Sequence, residues 1–430
     1  MRENSPSLNA APSERIRPAV GARTGRSLRI GMWFWLLLFI LRPLSIDHPA
    51  HASDGNEDVL RLGMSTALTG PASVIGINMQ AGVLMAIDEI NRSGGIHGKK
   101  LRLLSVDDGY EPSRTAPNMH WLIEELHVLA VVGNVGTPTS IAAIPIANEN
   151  KTPYIGAFTG AGGLRRNPPD RYVINYRASY AEETGAMVDA LITHGGLAAN
   201  EIAFFTQRDT YGDAGFTGGL DALRRHGLKD DSRVVHGRYE RNTMAVENGL
   251  ADIIMASPQP RAVIMVGAYA PCAAFIKLAK VHGLKAAFFN VSFVGIEPLS
   301  EALGPDSDGV IVTQVVPHFE SDLPLMKDYR AAVEQAGSGL QPTFGSLEGY
   351  IVMRILLRAM ASIQGEVSRE SVVDALERLG DFDLGLGEPL RLSPEDHQAC
   401  HRVWPTVIRK GKAIPFEWSE LKGLLGSQTR

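Results

Sequence analysis

The sequence predicts an α/β protein with two doubly wound lobes that are joined by several strands. Its 430 residues are too many for one compact core, so we expect two lobes of roughly 150 to 200 residues. Strand and helix patterns alternate in two successive passes along the chain, which is typical of parallel sheets covered by helices.

Residues 60–98 form the first strand–turn–helix unit. A short apolar strand leads through a turn of small residues into a helix with apolar residues on one face, namely Met79, Val83, Ala86, Ile87 and Ile90. Gly94 and Gly95 end this helix. Because doubly wound sheets bind ligands at the carboxyl ends of their strands, residues 69–76 are the first candidate for a ligand-binding loop.

The remaining elements follow in the same alternating order. The first pass continues with strand 101–107, helix 113–127, strand 128–133 and strand 153–156. After residues 172–177, the second pass has helices 181–194, 213–226, 244–255 and 271–282 and strands 201–206, 233–239, 262–267 and 287–291. Strand 310–316, helices 322–335, 345–362 and 369–378, and strand 402–408 come last, before a basic tail that we expect to be frayed.

These late elements most simply return to the two lobes formed by the earlier passes and complete them. The chain would then cross between the lobes several times, which predicts a hinge. We expect the first lobe to contain residues 58–177 and 316–395. The second lobe would contain residues 178–315 and 396–425, so that the chain crosses between the lobes several times.

The amino terminus has the order of a secretory signal. Arg26 and Arg29 precede an apolar run, Ile30–Leu41, that is short for a membrane span. Ala50 and Ala52 follow as the small residues of a cleavage site, so we expect a signal peptide over residues 1–52, cleavage after Ala52 and a periplasmic protein. An uncleaved anchor is the alternative.

Composition excludes several classes of protein. Without residues 1–52 the chain has 35 basic and 44 acidic residues, a net charge of −9, which argues against nucleic-acid binding. Cys272 and Cys400 are the only cysteines, so a disulfide scaffold is excluded; they could form one bridge or remain free thiols.

Catalytic and metal-binding patterns are weak. The chain has no G-x-S-x-G motif and no complete phosphate-binding loop. His397, Cys400 and His401 could be metal ligands, but no second cluster completes a site, and we interpret them as a solvated polar turn. We therefore predict no cofactor, no metal and no enzymatic activity; an exported α/β enzyme, the alternative, would need a nucleophile and a base.

Hydroxyl, amide and aromatic side chains recur where predicted strands end. Thr137 is placed to cap a helix and Pro138 to be its first residue, so the free backbone donors there suit an anion or a carbonyl group. An ordinary capped turn is the alternative. Tyrosines follow strands of the second pass, and together these side chains suit a small polar ligand.

Several of these segments resemble the branched-chain amino-acid binding proteins of bacterial ABC importers, which are type I periplasmic binding proteins. The matching segments are T-G-P-A-S at 69–73, A-I-D-E-I-N-R-S-G-G-I-H-G-K-K-L at 86–101, D-D-G-Y-E-P at 107–112, V-V-G-N-V-G-T-P-T-S at 131–140, N-Y-R-A-S-Y-A-E-E-T at 175–184, Q-R-D-T-Y-G at 207–212 and L-E-G-Y-I at 347–351. The resemblance covers residues 58–410. It implies two Rossmann-like lobes that close on a ligand by a hinge and deliver it to a permease in the inner membrane.

The resemblance also implies where the ligand binds. The family's contact positions fall on Ile75 or its neighbour Val74, Thr137, Phe158, Thr159, Gly160, Ser179, Tyr180, Tyr211, Tyr269 and Ser292. Thr137 and the amides around Thr159 and Gly160 would hold a ligand carboxylate. Tyr180, Tyr211 and Tyr269 would supply contacts from the second lobe.

Two departures from the family pattern concern the ligand. Val74 and Ile75 stand where its amino-acid binders have an aromatic residue, and Ser292 with Phe293 stands where they have an acid for the ligand ammonium. Because a buried ammonium without a charged partner is costly, either Glu182, Glu183 or Asp209 replaces that acid or the ligand has no ammonium. An amide, an organic acid or an aromatic carboxylate remains an alternative to an amino acid.

We therefore expect an exported, monomeric solute-binding protein that is not an enzyme and serves an ABC importer. The alternative within the binding class is a receptor domain of the same fold that senses its ligand for a signalling partner.

Overall fold

The computed structural model describes residues 59–337 and 339–428. The predicted signal peptide, residues 1–52, lies outside the described residues, so its cleavage after Ala52 stays a prediction. The described chain forms two large sheets, and we call the units built around them the first and second lobe.

The sheet of the first lobe has five parallel strands in the order β2, β1, β3, β4, β5. They are β1 (Val59–Thr66), β2 (Lys100–Asp107), β3 (Ala130–Val132), β4 (Tyr154–Ile155) and β5 (Val173–Ile174). The strand order reverses between β1 and β3, and a doubly wound sheet has its ligand crevice at the carboxyl ends of such a pair.

The sheet of the second lobe has seven strands in the order β14, β13, β10, β9, β8, β6, β7. In chain order its strands are β6 (Ile202–Gln207), β7 (His236–Tyr239), β8 (Ala262–Val266), β9 (Ala287–Asn290), β10 (Ile311–Gln314), β13 (Trp404–Arg409) and β14 (Lys412–Pro415). Between β10 and β13 the chain forms a separate small hairpin of β11 (Gly380–Phe382) and β12 (Leu390–Leu392). In the sheet of the second lobe, the pairs β10–β13 and β13–β14 are antiparallel, and the other pairs are parallel.

Helices connect the strands in both lobes. They are α1 (Ser73–Arg92), α2 (Pro112–His120), α3 (Thr137–Glu149), α4 (Tyr180–Thr193), α5 (Thr210–Arg225), α6 (Glu247–Ile254), α7 (Tyr269–Val281), α8 (Ile296–Leu303), α9 (Pro324–Ala336), α10 (Phe344–Ala361), α11 (Arg369–Glu377) and α12 (Leu421–Gln428). A π-helical turn (Trp121–Glu125) follows α2, and short 3₁₀ turns lie at Gly162–Leu164, Ala199–Glu201, Asp231–Arg233, Ser292–Val294, Gly304–Ser307 and Trp418–Glu420.

Helix α10 returns to the first lobe and packs against α1. Glycines allow the two backbones to approach: a Cβ at Gly82 would lie 1.9 Å from the carbonyl oxygen of Ser346, and one at Gly349 would lie 2.3 Å from that of Met79. Helix α1 is long and apolar enough to cross a membrane by length and composition alone, but Met79, Val83 and Ala86 on one of its faces are buried in this core. The chain then returns to the second lobe with β13, and the hinge stays a prediction.

The structure corrects two predictions and adds an element. Residues after β13 are not a frayed tail, because Lys410 and Gly411, with φ of 50° and 77°, form the tight turn of the β13–β14 hairpin. The sequence patterns also did not predict α8. His397 and Cys400 do not belong to a solvated turn: both are buried, and the His397 ring lies 3.0 Å from the carbonyl oxygen of Val173.

Both cysteines are free and buried, so of the two alternatives the structure has the unpaired thiols.

Candidate functional site

Two threonines lie side by side at the carboxyl ends of β3 and β4. Thr137 is the first residue of α3, Thr159 follows β4, and their fully buried hydroxyl oxygens are hydrogen-bonded at 2.6 Å. Thr137 does not cap the helix as predicted, because Gly136 holds that position with φ of 105°. A Cβ at Gly136 would lie 2.1 Å from the Tyr110 ring, so only glycine fits there.

Aromatic rings from both lobes meet beside the threonines. Phe293 of the second lobe has ring-centroid distances of 5.7 Å to Phe158 and 5.9 Å to Tyr110, which belong to the first lobe. On its other side it lies 4.6 Å from Tyr211, whose ring is 5.1 Å from that of Tyr180. These rings form one continuous wall across the cleft between the lobes.

The residues predicted to contact the ligand from the second lobe differ in their burial and in their hydrogen bonds. Tyr180 begins α4; its backbone N–H donates to Gly160 at 2.7 Å, and its buried hydroxyl has no partner among the described residues. Tyr211 is also buried and donates to the carbonyl oxygen of Gly267. Ser179 is engaged in capping α4 with Glu182, and Tyr269 is only partly buried, at the start of α7.

Arg177 is a site residue that the prediction missed. It follows β5, it is 1% exposed, and its guanidinium lies 4.1 Å above the Phe158 ring. Nε lies 2.9 Å from Oε1 of Glu348 in α10, while Nη2 donates to Oε2 of Glu348 and to Oγ of Ser292 in the second lobe. Although burial disfavours its charge, the carboxylate of Glu348 raises the pKa of Arg177. Arg177 is thus a permanent cation that bridges the two lobes.

Of the three acids considered as replacements for the family's acid, Glu183 is the one that reaches Ser292. Its carboxylate accepts hydrogen bonds from the backbone N–H and hydroxyl of Ser292 and from the Thr313 hydroxyl, at 2.7, 2.9 and 2.6 Å. Burial raises the pKa of Glu183, although Arg177 and these hydrogen bonds oppose the shift. Glu182 instead contacts His401 and Gln398, and Asp209 caps α5.

A small cavity lies beside Arg177 and receives residues from both lobes. Its volume is about 10 Å³, roughly the room that one water molecule needs. Ile75, Asn78 and Phe158 line it from the first lobe, and Ser292 and Glu297 from the second. Ile75 therefore reaches the cleft as predicted, but from the first turn of α1 rather than from a loop. A ligand larger than water fits only if the lobes move apart.

A second set of polar contacts joins the lobes at the rim of the cleft. Arg241, after β7, lies 2.9 Å from Glu111 of the first lobe and 3.4 Å from Asp209 of its own lobe. Asn242 donates to Glu111 at 2.6 Å. Deeper in the cleft, Gln207 donates to the hydroxyl of Tyr110.

The structure brings most of the predicted residues to one cleft, although their roles as ligand contacts stay a prediction. The missed residues are Tyr110, Arg177 and Glu348. The sequence does contain a signal for Arg177 and Glu348, since an Arg at the end of an apolar strand and a Glu within an apolar helix both need a buried partner. Among residues 59–337 and 339–428, no group of three His, Cys, Asp or Glu could hold a metal ion.

Comparison with known proteins agrees with this architecture. The model of the periplasmic binding protein family matches residues 59–413. A crystal structure of a possible leucine/isoleucine/valine-binding protein from Rhodopirellula baltica is 55% identical and has a TM-score of 0.83, with 86% of this chain and 99% of that chain covered. A substrate-binding periplasmic protein from Ralstonia solanacearum is 25% identical with a TM-score of 0.76, covering 83% of this chain and 100% of its own.

Curated relatives are more distant in sequence. The leucine-, isoleucine-, valine-, threonine- and alanine-binding protein of Pseudomonas aeruginosa is 24% identical over 343 residues, which are 77% of this chain and 85% of that protein. The resemblance found in the sequence motifs is thus confirmed, and so is a fold of two α/β lobes joined by several strands. The chain belongs to the periplasmic binding protein family, which consists of solute-binding proteins and not of enzymes.

Proposed function

We infer that the protein is an exported solute-binding protein that captures a small polar ligand between its lobes and delivers it to an ABC importer. The observation that carries this proposal is that one cleft receives polar and aromatic groups from both lobes. Thr137 and Thr159 come from the first lobe, and Tyr180 and Tyr211 from the second.

A ligand held by both lobes would stabilise the closed form over the open one. Moving such an equilibrium from almost entirely open to almost entirely closed requires about 5.5 kcal/mol of differential binding. Contacts that exist only when both lobes surround the ligand provide this difference. The Tyr180 hydroxyl, which is buried and without a partner among the described residues, is one group that a ligand could satisfy.

Curated relatives support a solute-binding role and the ligand class in general terms. Three of them are called amino acid binding or Leu/Ile/Val-binding proteins. We accordingly place the ligand among amino acids and the related amides and carboxylates. A periplasmic location and removal of residues 1–52 belong to the same proposal.

The test is a thermal-shift screen of residues 53–430 against amino acids, amides and organic acids, followed by uptake of the hits in cells with and without the gene. We expect one compound class to raise the melting temperature and its uptake to depend on the gene. A hit whose uptake is unchanged in the deletion strain would favour a sensory receptor. If no compound shifts the melting temperature, solute binding is contradicted.

A further inference from the structure

We propose that the ligand is a carboxylic acid without an ammonium group, such as a 2-oxo acid, and that its acceptor oxygens bind the free edge of Arg177. This inference rests on the proposed function and names the substrate class of the same cleft. It depends on which hydrogen-bonding groups of the cleft are still free and which are already used.

One hydrogen-bonding group beside the cavity is a donor without a partner in the described part of the chain. Nη1 of Arg177 has no hydrogen-bond partner among the described residues, although the side chain is almost completely buried. The guanidinium is fixed in place, since Phe158 lies under its face and Glu348 holds its Nε and Nη2 side. A buried donor without a partner costs free energy, and a ligand oxygen would remove that cost.

The carboxylates that could hold an ammonium are already engaged. Glu348 contacts Arg177 through both oxygens. Glu183 accepts three hydrogen bonds, two from Ser292 and one from Thr313. Ser292 stands where the family's amino-acid binders have their acid, and here its donors point to Glu183 instead of the cavity.

One further carboxylate, that of Glu297, lines the cavity. It accepts the backbone N–H of Phe344 at the first residue of α10, so it stabilises that helix terminus. An ammonium in the cavity would lie close to the Arg177 cation. A ligand carboxylate or oxo group could instead accept a hydrogen bond from the unpartnered Nη1 of Arg177.

The decisive experiment compares pairs of compounds that share a carbon skeleton: leucine with α-ketoisocaproate, and phenylalanine with phenylpyruvate. Isothermal titration calorimetry of residues 53–430 measures all four affinities. In the pair that binds more tightly, the oxo acid should bind at least about 100-fold more tightly than the amino acid, since a desolvated ammonium would lack a partner. Equal or tighter binding of the amino acid overturns the inference but leaves the proposed function intact. So does tight binding of any screened compound without an acid group.

Variants test whether Arg177 is the group that binds the acid. Arg177→Gln combined with Glu348→Gln removes the cation together with the carboxylate that it contacts, so we expect this double variant to fold. Its affinity for the oxo acid should fall at least about 30-fold. Arg358→Gln, on the same helix as Glu348 but outside the cleft, is the control that should bind normally.

Retained affinity in a folded double variant, judged by circular dichroism, would overturn the assignment of Arg177. If the double variant does not fold, the comparison of leucine with α-ketoisocaproate in the unmodified protein still decides the ligand class. Failure of every compound in the wider screen would count against the proposed function itself.

Discussion

Arg177 and Arg241 both connect the two lobes, but Arg177 is buried inside the cleft while Arg241 lies at its rim. Each arginine contacts a carboxylate of the first lobe, Glu348 for Arg177 and Glu111 for Arg241. The side chains of the inner pair are 1% and 2% exposed, whereas those of the outer pair are 25% and 37% exposed. The same chemistry is therefore present in two very different dielectric environments.

The comparison teaches that burial, and not the presence of an ion pair, decides what each contact can do. In water-excluded surroundings an unpaired charge is costly, so the inner pair can discriminate between ligands. At the rim, solvent and salt screen the interaction, so the outer pair can only modestly favour closure. The predictions below test this difference, from the largest expected effect to the smallest.

Removing the carboxylate of each pair should show most clearly how the buried and the exposed ion pair differ in their contribution to stability. Glu348→Ala leaves the Arg177 cation buried without its carboxylate and should lower the free energy of unfolding by about 3 to 5 kcal/mol. Glu111→Ala is the matched change at the rim and should cost about 1 kcal/mol or less. Urea unfolding followed by circular dichroism measures both, and equal losses would contradict the comparison.

A pH series should reveal the partly buried carboxyl of Glu297, which links α8 of the second lobe to α10. Burial raises its pKa from 4.5 to about 7. Between these values the folded protein keeps a proton that the unfolded chain releases, so rising pH removes stability through this group. The loss should approach about 3 kcal/mol above pH 7.

Glu297→Gln should abolish that part of the pH dependence. The stabilities of the variant and the unmodified protein should differ little near pH 4.5, and the variant should be relatively more stable at pH 8. Unfolding curves at several pH values provide the measurement. Parallel pH profiles of the two proteins would mean that Glu297 titrates normally.

The contact between Gly160 and α4 offers a test in which charge plays no part. A Cβ at Gly160 would lie 2.6 Å from the backbone nitrogen of Tyr180, so Gly160→Ala should push the lobes apart. We expect ligand affinity to fall by roughly 10- to 100-fold, the equivalent of about 1 to 3 kcal/mol of overpacking. Gly162→Ala is the control in the same loop, because a Cβ there has no atom within 4 Å. Equal affinities of the two variants would contradict closure at this point.

The smallest effect should come from Arg241→Gln at the rim. Because exposed ion pairs contribute little, ligand affinity should fall only a few-fold at low ionic strength. The difference from the unmodified protein should disappear near 1 M salt, where the screening length is about 3 Å. Titrations at two salt concentrations measure this, and a salt-independent loss would show that the Arg241 contact is not screened as proposed.

The sequence allowed the fold to be predicted because periodicity is a local property. The alternating strands and helices and the polar residues Thr137 and Thr159 at strand ends all follow from patterns within a few residues. The β13–β14 hairpin was missed because Lys410 and Gly411 resemble an exposed basic tail until their backbone angles are known.

The inner pair of the site could not be predicted in the same way. Arg177 and Glu348 are 171 positions apart, and nothing local pairs them. The sequence did indicate that an acid was missing at Ser292, and Glu183 was among its possible replacements. Only the fold shows that Glu183 is held by Ser292 itself and that Arg177, beside the cavity, has an unused hydrogen-bond donor.

The central claim is that the two lobes close around a ligand in the cleft between Thr159 and Tyr180. Small-angle X-ray scattering of residues 53–430, with and without a saturating compound from the thermal-shift screen, tests it most directly. The account predicts a smaller radius of gyration with the ligand, and no such decrease for Gly160→Ala under the same conditions. A ligand that binds tightly while the radius of gyration of the unmodified protein stays the same would contradict the account.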